Sequence, residues 1–246
     1  MMNVPRETMS VSTYFDLEGL WFSDIFDQCN YPWEILSPEV RSTWFRKVLS
    51  PNISLVKRTP GGLVKEDTVL SVDKGEVRIA AGAILLGDDI QLFSGVDIES
   101  TALVAGPTIL GAGTLVRHGA YIRGGVVTGE KAIIGHATEV KNSYMLDGAK
   151  AAHFAYVGDS VIGKNVNLGA GTKLSNLRMD HGEVIVKHGS HTISTKLRKF
   201  GAIVGDGVEI GCNAVLNPGV LLGKKTVVYP CVSVRSKAYS EGSKII

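Results

Sequence analysis

His153 lies in the stretch Ala149-Lys150-Ala151-Ala152-His153-Phe154-Ala155-Tyr156-Val157-Gly158-Asp159, where a regular spacing of apolar residues is interrupted. An imidazole titrates near neutrality and can take a proton from an attacking amine, so a histidine where a pattern breaks is a candidate general base. Its plainer alternative is a structural role. Arg123 and Lys141 stand eighteen residues apart, and so do His118 and His136. Cations held side by side point to an anion such as phosphate, the alternative being two solvated side chains. A histidine pair raises the question of a metal. The closer pair, His188 and His191, falls in an expected hairpin turn, and no metal site is expected. Leu168-Gly169-Ala170-Gly171-Thr172 forms a tight turn whose backbone N–H groups could meet a thioester oxyanion. No Gly-Lys-Ser/Thr follows it, so it is not a nucleotide-phosphate loop.

These residues are positioned by a repeat. Steps of six from Leu86 reach Leu92, Ile98, Val104, Leu110, Val116, Ile122, Thr128, Ile134, Val140 and Leu146, all Leu, Ile or Val except Thr128. A period of six fits neither a helix nor an alternating strand. It fits short strands joined by sharp turns, each placing one aliphatic side chain in a narrow interior, which is the pattern of a parallel β-helix. A β-sandwich with coincidental spacing is the alternative. The phase resumes at Ile162, Leu168 and Leu174, and again from Val204 to Val234, leaving breaks between Leu146 and Ile162 and over Leu177–Gly201. Within the second break, Glu183-Val184-Ile185-Val186-Lys187 and the turn near Gly189 predict a two-stranded excursion at about 177–201, of the kind that often marks a binding face.

Residues 1–60 lack the repeat and carry all three Trp: Trp21, Trp33 and Trp44. Ser37-Pro38-Glu39 predicts a helix start. This segment is expected to form a small, partly helical cap closing the end of a β-helix domain at 61–246.

The 246 residues carry 29 glycines, consistent with many turns, and a net charge of +2 without a basic run, which leaves no nucleic-acid or membrane footprint. The N-terminal residues lack the apolar core of a signal peptide, and three scattered cysteines suit reduced thiols, so a cytoplasmic location is expected.

The block AHFAYVGDSVIGKNVNLGAGTKLSN, preceded by GHATEVKNS, resembles the acetyltransferase domain of bifunctional N-acetylglucosamine-1-phosphate uridyltransferases. It is more similar still to the C-terminal domains of archaeal-type sugar-1-phosphate nucleotidylyltransferases. The resemblance spans roughly residues 80–236. It implies an all-β, left-handed parallel β-helix with three hexads to a turn, so that residues eighteen apart stack, and a homotrimer with acetyl-CoA between subunits. It implies His153 as general base and Ala170 as the backbone amide near the acetyl group. It further implies Arg123 and Lys141 as sugar-phosphate cations and Tyr156, Asn167 and Asn176 as sugar contacts. Lys199 would be a phosphate contact lent by a neighbouring subunit, and Ala170, Cys212 and Pro230 would lie beside the acyl donor. Cys212 replaces a Ser of the bifunctional enzymes, and the CoA-clamping tail is shortened. The nucleotidyltransferase domain has no counterpart in residues 1–60. The metal-binding γ-class carbonic anhydrases of this fold use a His-x4-His pair that this chain lacks.

The expected function is therefore transfer of an acetyl group from acetyl-CoA to the amine of an amino-sugar 1-phosphate, glucosamine 1-phosphate foremost. The alternatives are a non-catalytic sugar-phosphate or sugar-nucleotide binding subunit working with a separate nucleotidyltransferase, and a metal-dependent lyase.

Overall fold

A computed structural model describes residues 9–246; the first eight residues of the expected N-terminal cap lie outside the described residues. Strands of two to four residues wind through three parallel sheets. The first face has ten strands, including an opening antiparallel pair, and the second and third have eight each. Strands this short present one side chain to each side of a sheet, so one aliphatic residue per hexad reaches the interior. On the first face Ile98, Val116, Ile134 and Ala151 stand in register, and on the second Val104, Ile122, Val140 and Val157. All are completely buried. Each such Val or Ile side chain contributes about 1.5–3 kcal/mol when fully buried. Thr128, the exception among the hexad positions, is also buried; its hydroxyl meets Thr114 Oγ1 at 2.8 Å and accepts from Gly111 N–H at 2.8 Å.

The six-residue phase differs from the expected one at a single kind of place. On the third face the interior side chain after Val140 is Met145, not Leu146, since Thr128 pairs with Met145 and Met145 with Ile162. The step from Val157 to Ile162 is likewise five residues. Leu146 instead faces outward into a second apolar cluster. Two coils are therefore one residue short at the corner between the second and third faces. His153 lies between the two slips rather than at one.

That second cluster explains the N-terminal segment. The third face is apolar on both sides: Ile109, Val127, Val161, Ile203 and Leu221 point outward yet are fully buried. A sheet apolar on both surfaces needs a cover. Residues 9–49 supply it, with a short helix α1 (Val11–Tyr14) and a longer helix α2 (Pro38–Val48). Ser37 caps α2 by accepting from Val40 N–H at 3.2 Å, with Pro38 in the first turn, as Ser-Pro-Glu predicts. Trp33 and Phe22 are buried against the third face, and Trp21 donates its indole N–H to the Thr128 carbonyl at 3.0 Å. The partly helical character is as expected, but these aromatics lie along a flank and do not close the coil end. The end is closed by Ile53, Val56 and Val64, which join the interior cluster, and by the antiparallel strands Thr68–Val72 and Gly75–Ile79.

The inserted excursion forms the strands Ile185–His188 and His191–Ser194, with Gly189 at φ +56° in the turn. Its Val184, Val186, Leu197 and Phe200 pack into the same flank cluster. Among the described residues no helix is long and apolar enough to cross a membrane.

Candidate active site

Two corners bracket the second face, and they hold the candidate residues. The register through Ile122 and Val140 puts Lys141 one coil beyond Arg123, as the eighteen-residue spacing predicts. The next coil is short, so Lys141 pairs with Gly158, which brings Asp159 beside it at the corner. Lys141 Nζ lies 3.1 Å from Asp159 Oδ2, with the two side chains only 11% and 7% exposed. Asn142 donates to Asp159 Oδ1 at 3.2 Å, and Asn176 donates a short hydrogen bond to the other carboxylate oxygen. Tyr156 donates its phenol to Asn176 Oδ1 at 3.4 Å. Lys141, Tyr156 and Asn176 are thus joined through Asp159, a residue that neither the repeat nor the family resemblance singles out. Asn142 and Asp159 both take positive φ, +47° and +46°, a conformation that short polar side chains tolerate.

Arg123 is half-exposed and bound to Glu139 at 2.8 Å, with its guanidinium 5.8 Å from the Tyr121 ring centre. Hydrogen bonding to Glu139 raises its pKa. Burial raises the Tyr156 phenol, and the charges of Glu139 and Asp159 push it the same way, against Arg123 and the Asn176 bond. Each cation of the column therefore has its own carboxylate. The repulsion that alone would have demanded a bound anion is relieved within the chain.

At the other corner, between the first and second faces, register aligns His118, His136, His153, Ala170, Cys212 and Pro230 in one column. Each is followed by a residue at positive φ, from Gly119 to Cys231. His118 and His136 stack with ring centres 4.2 Å apart, and His118 Nδ1 lies 3.3 Å from Glu99. His153 is exposed and precedes Phe154, itself 55% exposed. The carbonyl of His153 accepts from Gly171 N–H at 3.0 Å, fixing it against the Gly169–Gly171 turn. Ala170 N–H donates no hydrogen bond among the described residues. A free amide beside an exposed imidazole can stabilise an oxyanion while the imidazole moves a proton. No group of three or more His, Cys, Asp or Glu among the described residues is arranged to hold a metal ion.

Two expected residues make no bond to this cluster among the described residues. Asn167 lies at the far end of its first-face strand and donates to Glu209 at 3.2 Å. Lys199 is exposed at the foot of the excursion, where it bridges Leu177 and so follows Asn176 closely in space.

The profile of the GMPPB C-terminal domain family matches residues 104–227. The bifunctional sugar-1-phosphate nucleotidylyltransferase/acetyltransferase of Sulfurisphaera tokodaii is 39% identical over 67% of this chain and 40% of its own length. The bifunctional protein GlmU of Methanocaldococcus jannaschii is 32% identical over 84% of this chain and 44% of its own. The chain therefore spans less than half the length of these relatives. The Arabidopsis UDP-N-acetylglucosamine acyltransferase structure shares 12% identity over 65% of this chain and 66% of its own, with a TM-score of 0.29.

Proposed function

We propose that this chain, which belongs to the GMPPB C-terminal domain family, transfers an acetyl group from acetyl-CoA to the amine of an amino-sugar 1-phosphate, glucosamine 1-phosphate foremost. The observation that carries the reading is the pairing of an exposed His153 with the unbonded Ala170 N–H, one corner away from the Lys141–Tyr156–Asn176 cluster. His153 takes a proton from the amine as its nitrogen attacks the thioester carbonyl. The N–C bond forms, Ala170 N–H meets the oxyanion, the C–S bond breaks, and the proton leaves with the thiol.

Arg123, Lys141 and Lys199 meet the phosphate; Tyr156, Asn167 and Asn176 meet the sugar. Acetyl-CoA lies along the column of Ala170, Cys212 and Pro230, whose small or compact side chains leave the corner open. The site is completed in a homotrimer. In support, the third face is already covered by the chain itself, whereas Tyr121, Phe154, Val227 and Tyr229 remain exposed on the first and second faces or their corner.

The test is mass spectrometry of glucosamine 1-phosphate incubated with acetyl-CoA and the protein, paired with sedimentation. An acetylated product from a trimer is expected. Sugar-phosphate binding without any acetylated product would instead favour a binding subunit working with a separate nucleotidyltransferase.

A further inference from the structure

Helix α2 turns Pro38, Arg41, Ser42, Phe45, Arg46 and Leu49 toward a cleft of about 670 Å³. Steps of three and four place these residues on one side of the helix. The opposite wall is the corner between the second and third faces, with Arg123, Gly125 and Asn142. Gly124 also lines that wall; its φ of +87° and the Gly106 carbonyl oxygen, 2.5 Å from where a Cβ would stand, keep the position a glycine and the backbone bare there.

Three arginines line the cleft against one carboxylate, Asp89. Arg123 is held by Glu139, but Arg41 and Arg46 bond only neutral oxygens, Leu36 O at 3.4 Å and Thr43 Oγ1 at 3.2 Å. Neither has a carboxylate partner among the described residues. Phe45, Leu49 and Pro107 add apolar surface beside these charges. Guanidinium groups bind phosphate oxygens in pairs and stack on flat rings, and the cleft has the volume of a ligand-sized pocket. A lone phosphate would use neither the apolar wall nor the cations on both sides.

We propose that this cleft is a subsite for the nucleoside diphosphate half of a sugar nucleotide, formed jointly by α2 and the coil. It meets the sugar-phosphate cluster through Arg123, which lies between them.

Calorimetry with GDP, UDP and inorganic phosphate, without acetyl-CoA, tests this on the full chain. At least one of the two nucleotides should bind at least about tenfold more tightly than phosphate, since a diphosphate spans the cations on both walls and a single phosphate does not. Arg41→Ala and Arg46→Ala should each weaken that nucleotide by about ten- to a hundredfold. Arg46 is exposed, so Arg46→Glu keeps the test decisive should Arg41→Ala fail to fold; it should abolish the binding. Binding of neither nucleotide, equal affinity for phosphate, or Arg46 variants that bind like the parent would overturn the proposal. No acyl transfer enters the readout, so this subsite and the proposed acetyltransferase activity stand or fall separately.

Discussion

Both corners that flank the second face turn through a residue at positive φ, and they differ in what surrounds the functional side chains. At the Lys141–Asp159 corner the carboxylate is held by Lys141, Asn142 and Asn176, and the central ion pair is nearly closed to solvent. At the His153–Ala170 corner the imidazole is exposed and an amide N–H has no acceptor among the described residues. A bonded network fixes geometry; a free donor beside an exposed base is what a reacting group can still use. The first corner is suited to holding a substrate in place, the second to reacting with it. Substitutions should therefore separate them by stability on one side and turnover on the other.

His153→Ala should give the largest effect. Turnover should fall by about 10²–10⁴-fold, the usual contribution of a general base. The melting temperature should hardly move, because an exposed side chain away from packed contacts rarely changes stability by more than about 0.5 kcal/mol. Steady-state kinetics with a thermal melt reads both, and a full-speed variant would place the base elsewhere.

Lys141→Ala should show the reverse weighting. It strands the buried Asp159 carboxylate, and breaking such a pair costs about 3–5 kcal/mol. Denaturant unfolding should register that loss, and Lys141→Ala/Asp159→Ala should recover part of it. An unchanged midpoint for the single variant would mean that the corner is not held by this pair.

Arg123→Ala belongs between the two. Its ion pair is largely solvent-exposed and contributes at most about 1 kcal/mol to stability. Sugar-phosphate affinity should nevertheless drop about ten- to a hundredfold, as for other lost charged contacts. Titration of the sugar phosphate checks it, with acetyl-CoA affinity expected to stay at the parent value.

The smallest effect is expected on the covered third face. Tyr144 is fully buried, its hydroxyl has no partner among the described residues, and burial raises its pKa above the ordinary 10.0. A raised folded value means that the neutral phenol is favoured by folding. Stability from this group is whole below about pH 10 and is lost as pH rises further. Tyr144→Phe should leave the protein as stable or about 1 kcal/mol more stable, because the unsatisfied hydroxyl disappears. It should also lose less stability in alkali than the parent. Denaturation curves on both sides of that pH test the sign.

The coil was legible because one aliphatic per hexad is a strong signal, and the stacking of Arg123 with Lys141 followed from the three hexads to a turn that the family resemblance implies. What escaped were the partners. Glu139 sits two residues before Lys141 on the same strand, yet it pairs with Arg123 one coil back. Asp159 reaches Lys141 only because that coil is one residue short, and a strict six-residue count hides the shortening by landing on Leu146. The role of the N-terminal segment escaped as well. Third-face strands carry doubled aliphatics such as Ile109-Leu110, Val161-Ile162 and Ile203-Val204, but the other faces do too, at Leu103-Val104, Leu115-Val116, Ile133-Ile134 and Val215-Leu216. The pairs alone therefore do not single out the face that the N-terminal residues cover.

The division between a holding corner and a reacting corner rests on acyl transfer taking place at His153. Thiol release from acetyl-CoA, followed across a panel of amino-sugar 1-phosphates, measures it most directly. Release should require an amino sugar, match acetylated product one for one, and collapse in His153→Ala. Binding of the sugar phosphate with no thiol released by the parent for any member of the panel would contradict it.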